Sequence, residues 1–163
     1  MLNYGSNKPL SLPLATRILL SLSSILVGYA SGLAVLKVLR LARWQYLNFF
    51  AFDFGFHAIV FALMSFLGWL LFLLPFVVTE NWRKMFQRPL RSALVGGIAG
   101  CCLLTMVFLS FLGAHALALP DYRRSCSGYT LCAFAIGFVA TGLYVALRNQ
   151  MESKADLDTN APA

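Results

Sequence analysis

The chain has 163 residues, of which 60% are hydrophobic and only 12% charged, with a formal net charge of +7. A water-soluble domain of this size needs a polar skin that such a composition does not supply. The excess positive charge is not a nucleic-acid footprint either, because it flanks apolar runs where it meets lipid headgroups.

Those runs are long enough to cross a hydrocarbon core of about 30 Å, which takes roughly 20 residues in a helix. The first predicted span covers residues 14–36, after a polar stretch with Lys8, Pro9 and Pro13. Arg17 lies near enough to its end to snorkel to the headgroups. The apolar run exceeds the roughly 7–15 residues of a signal-peptide core, so it reads as a retained helix. An aromatic stretch from Trp44 to Phe56, interrupted by Asp53, leads through His57 into the second span at 58–78. Trp44 and Tyr46 suit the membrane interface, and Pro75 is expected to kink the span or loosen its last turn. The third span covers 93–114, between the natural breaks Pro89 and Pro120, and the fourth covers 129–147. Residues 1–150 therefore form one transmembrane domain. The short connections predict an all-α, up-down-up-down bundle of four transmembrane helices. Residues 151–163 carry mixed charge and few bulky apolar side chains, which predicts a disordered polar tail.

Small residues recur every fourth position on three of the spans. Ser24, Gly28 and Gly32 mark the first, Gly96 and Gly100 the third, and Ala133, Gly137 and Thr141 the fourth. Such stripes let helix backbones approach closely, and close contact is a main source of association in lipid. The spacing alone leaves open whether the partner helix is internal or belongs to another chain.

An even number of spans puts both termini on one side. With that side cytoplasmic, it holds Lys8, Arg17, Arg83, Lys84, Arg88, Arg91, Arg148 and Lys154. The opposite side holds Lys37, Arg40, Arg43, Arg123 and Arg124, so the positive-inside rule prefers this orientation. In Trp82–Arg88 the apolar and basic residues fall on opposite faces of a helical projection, which suits an anionic cytoplasmic leaflet as well as an ordinary solvated loop does.

Few residues offer chemistry. Asp53 and His57 share a helix face, and counting from the loop between the second and third spans sets His57 and His115 at similar depth. Two histidines at one level can ligate a haem b iron. With Asp53 they form a set suited to a divalent metal, or to a proton relay. The competing reading, and the default, is that both histidines sit at the interface and reach water. Cys101 and Cys102 point about 100° apart on a helix and pack as small apolar residues. If the last loop faces an oxidising compartment, Cys126 and Cys132 are the pair available for a structural disulfide. No phosphate loop, zinc-protease or nucleophile-elbow pattern appears, and no intramembrane acidic pair.

The resulting expectation is a polytopic protein of the bacterial inner membrane acting as a non-enzymatic accessory or assembly subunit. Its partners are the lipid bilayer and other membrane subunits or further copies of itself, with no nucleic acid and no required cofactor. The alternatives are an electron-transfer or metal-handling protein built on His57 and His115, and a small channel or carrier.

Overall fold

In lipid, a backbone must satisfy its own polar groups, and long apolar runs with prolines near their edges do so as α-helices. The computed structural model describes residues 12–41, 54–78, 88–116 and 120–159, and every regular element among them is helical. The elements are α1 (Leu14–Leu41), α2 (Phe54–Gly68), α3 (Leu74–Val78), α4 (Pro89–Ala116) and α5 (Pro120–Thr159). A π-helical turn, Trp69–Leu73, joins α2 to α3, so the second span is one rod in three pieces. Four stretches are long and apolar enough to cross a membrane: Leu14–Leu39, Ala58–Val78, Pro89–Val107 and Cys126–Ala155.

The prolines explain the local geometry. Pro89 and Pro120 each open a helix, where a missing N–H leaves no bond unmade. Pro75 sits inside the rod, where its ring collides with the carbonyl four residues back, that of Leu71. The helix widens to accommodate it, and the Leu74 N–H donates to the Trp69 carbonyl, five residues earlier.

Three expected boundaries are corrected. α1 runs past Leu36 to Leu41 and carries Lys37 on its exposed surface. α5 begins at Pro120 and continues to Thr159, so residues 151–159 extend the helix where a disordered tail was expected. No Gly or Pro interrupts that stretch, and its Met, Glu, Lys, Ala and Leu are good helix formers. Arg148 and Glu152, one turn apart, add a 4.0 Å ion pair. The proposed amphipathic segment Trp82–Arg88 lies outside the described residues, apart from an exposed Arg88.

α5 is the central element. It packs along α1 on one side and along α4 on the other, while the second rod makes fewer contacts, mainly with α1. Rising numbers along α1 meet falling numbers along α5, from Gly28 at Ala140 to Gly32 at Cys132. The same holds for α4, from Ala93 at Gly142 to Gly100 at Ala133. α1 is likewise antiparallel to the second rod: Arg17 bonds to Val77, Ser21 to Trp69 and Tyr29 to Ala58. The core divides into two clusters. One gathers Leu36, Phe61, Leu104, Tyr129 and Ile136, and the other gathers Leu73, Val77, Tyr144 and Val145.

Candidate functional site

The small-residue stripes meet each other inside the chain. A β-carbon built on Gly28 would lie 2.6 Å from the Ile136 carbonyl oxygen, and one on Gly100 would lie 2.5 Å from that of Ala133. Gly32 faces the Ile136 side chain, and Gly96 faces Gly137 and Thr141 so closely that no side chain fits between them. Ser24 is fully buried and donates to the Leu20 carbonyl at 2.8 Å, which removes its polarity from the contact. Polar contacts also cross these seams: Cys101 Sγ donates to the Thr130 carbonyl at 3.7 Å, and Ser31 Oγ, which donates to the Gly28 carbonyl of its own helix at 2.6 Å, lies 3.3 Å from the Ala135 carbonyl. The predicted glycines thus lie on two seams: Gly28 and Gly32 on α1–α5, and Gly96, Gly100 and Gly137 on α4–α5. Gly97 against the Phe134 ring and Gly142 against Ala93 belong to the same seams; they fall off the four-residue repeat, so spacing did not single them out.

The second rod is held differently. Phe61 and Tyr129 meet in a tilted pair at 6.1 Å near one end, and Phe76 meets Tyr144 edge-on at 6.2 Å near the other. Between those pairs the rod stands away from α4 and α5 and leaves a partly open cavity of about 350 Å³. Its walls are almost wholly apolar, with Phe61, Met64, Trp69 and Phe72 on the rod side and Ala99, Leu103 and Ala140 opposite. Ser65 also lines it, is only 7% exposed, and its Oγ has no hydrogen-bond partner among the described residues. Trp69 is fixed from the α1 side, where its indole N–H donates to Ser21 Oγ at 3.0 Å. Sequence reasoning missed this cavity, although Pro75 and Gly68 in one aromatic helix are a sign of irregular geometry.

Polar groups collect at the ends. The Arg17 guanidinium donates to the Leu12 carbonyl at 2.9 Å and to the Val77 carbonyl at 3.4 Å. Arg17 thereby ties α1 to the last turn of α3, where a cation also suits the helix dipole. At the same end Arg148 is only 5% exposed and donates to Asn149 Oδ1 at 3.2 Å.

His57 lies in the first turn of α2 and His115 in the last turn of α4. Their side chains and Asp53 lie outside the described residues, so the proposed haem or metal set is not part of the described site. Among the described residues no three His, Cys, Asp or Glu side chains gather as metal ligands. All four cysteines are free. The Cys126–Cys132 bridge is overturned by the early start of α5, which puts both residues on one helix. Six residues of helix separate their Cα atoms by about 9 Å along the axis, beyond the roughly 7 Å a disulfide spans.

Compared with known proteins, the chain matches no family model, no curated protein and no solved structure.

Proposed function

We propose that the chain is a polytopic inner-membrane protein, with up-down-up-down spans and both termini cytoplasmic. In this reading it acts as a non-enzymatic accessory or assembly subunit of a larger membrane complex. The observation that supports the subunit reading is the far end of α5. A helix of 40 residues is about 60 Å long, roughly twice the hydrocarbon thickness. Its last turns carry Glu152, Lys154, Asp156 and Asp158, together with exposed Met151 and Leu157. Such an arm, rooted in the central helix, is suited to engage another chain beyond the lipid. The glycine faces are not available for that role, because they close on one another.

Affinity purification in mild detergent, with an absorption spectrum and identification of co-purifying chains, tests the reading. A colourless protein that brings a stoichiometric partner, lost on truncation after Met151, supports it. A coloured, partner-free protein whose band disappears in His57→Ala and His115→Ala supports the electron-transfer reading instead. For orientation, the lysine and arginine imbalance of eight against five favours a cytoplasmic Glu80–Arg91 segment. Reporters fused after Gln87 and after Ser125 should give opposite compartment signals. An external signal after Gln87 overturns the orientation.

A further inference from the structure

We propose that the cavity between the second rod and the α4–α5 pair binds a lipophilic molecule bearing one hydrogen-bond-accepting carbonyl on an apolar body. The site does not depend on any partner chain.

Size is the first argument. About 350 Å³ falls within the range of roughly 300–1,000 Å³ typical of small-molecule sites. Walls this apolar do not hold water well, so an apolar occupant is the one that restores the missing contacts. No charged side chain lines the cavity among the described residues, which disfavours an ionic ligand.

Ser65 supplies the polar point of attachment. Ser24, Thr105 and Thr130 each donate to the carbonyl four residues earlier in their helix, the usual way to hide a hydroxyl in lipid. Ser65 does not, although it is as well buried as the core residues Leu39 and Ala133. A buried hydroxyl with no partner is costly, and a ligand carbonyl at this point would accept its hydrogen. The ligand therefore needs an acceptor at Ser65; Ser92 and Thr141 also line the cavity, and Ser92 already donates to the Arg88 carbonyl at 3.1 Å.

Gly68 and the π-helical turn shape the wall. Unlike the seam glycines, Gly68 is not required by close packing: a β-carbon there would meet only Leu103 Cδ2, at 3.6 Å. Glycine weakens a helix interior, so its presence where no backbone approaches is accounted for by the space it leaves in the cavity. The turn that follows widens the helix and brings Trp69, Leu71 and Phe72 to the wall. Such π-helical turns are frequent at functional sites.

The test uses the full chain in detergent with Trp44→Phe and Trp82→Phe, leaving Trp69 as the only indole. The probe is 6-propionyl-2-(dimethylamino)naphthalene, a ketone whose emission moves to the red when its carbonyl accepts a hydrogen bond. Energy transfer from Trp69 should saturate near one probe per chain. Ser65→Ala should weaken binding by about tenfold or less and move the bound emission to the blue, as expected for one lost hydrogen bond. Gly68→Leu, which fills the space, should remove the saturable component, whereas Gly68→Ala should keep it. If Gly68→Leu does not elute as folded protein, the Ser65→Ala emission decides the matter. Non-saturable transfer that is equal in wild type and Gly68→Leu, or bound emission unchanged by Ser65→Ala, overturns the proposal. Organic extracts identify the natural source: a phospholipid enriched with wild type over the filled variant marks a bilayer lipid. A neutral carbonyl lipid marks a free lipophile, and identical extracts count against the site.

Discussion

Gly137 lies against the backbone of Gly96, whereas the second rod approaches α5 through aromatic side chains near its two ends. The two regions use the same apolar alphabet in different ways. Along α1–α5 and α4–α5, small residues bring backbones together, and contact is continuous over several turns. Along the second rod, large residues act as spacers, and the gap between them becomes a cavity. With the helices in a bilayer, as proposed, burial of apolar surface supplies no driving force between them, and van der Waals contact decides which seam is strong. The first region is therefore expected to be rigid and intolerant of added volume. The second should accept changes of shape more readily.

Substitutions can break that contrast. The largest effect is expected from Gly137→Leu, because the new side chain would have to displace the Gly96 backbone. Overpacking of this kind typically costs about 1–3 kcal/mol, and here relief requires moving a whole helix. Thermal stability in detergent, read by size-exclusion recovery, should fall sharply, while leucine replacement at exposed Met106 should do little. Tyr144→Ala comes next. It removes a fully buried ring and its edge contact with Phe76, worth about 0.5–1.5 kcal/mol beyond burial, and should loosen the α3 end of the rod first. Protease or alkylation access near Val77 would report that local opening. Trp69→Phe should be milder, since one hydrogen bond between spans contributes about 0.6 kcal/mol on average in a membrane protein. A reducing agent should leave stability unchanged, because no disulfide is present to lose. A drop in stability on reduction would contradict the single-helix placement of Cys126 and Cys132.

Hydropathy made the four spans legible, and the four-residue spacing made the glycine faces legible, because both patterns follow directly from helix geometry. The limits of α5 were not legible in the same way. Polar residues such as Arg123, Arg124, Glu152 and Lys154 end a hydropathy window without ending a helix, since charge and helix propensity are separate properties. The same blind spot produced the Cys126–Cys132 bridge, which needed a loop at residues that are helical. Partner choice was also hidden. Spacing identifies a contact face but not the helix it meets, and nothing local to α1 or α4 says that both close on α5. The cavity depended on that pairing and on the widening that precedes Pro75. Ser65 looked like any other helix serine until its neighbours were known. The His57, His115 and Asp53 set was visible in sequence, and its side chains lie outside the described residues.

Cysteine cross-linking in native membranes tests the central contrast most directly. With Cys101, Cys102, Cys126 and Cys132 replaced by alanine, one variant carries Ala93→Cys and Gly142→Cys across the α4–α5 seam. There the two β-carbons approach to 2.8 Å, closer than the roughly 3.5–4.5 Å of a disulfide, so a small outward shift admits a bond. A second variant carries Gly68→Cys and Ala99→Cys across the cavity, where the Ala99 side chain is not within 4 Å of a β-carbon at Gly68. Mild oxidation should join the first pair rapidly within one chain and leave the second largely unjoined. Rapid bridging across the cavity, or failure across the seam in protein that still folds, would contradict an architecture built on α5.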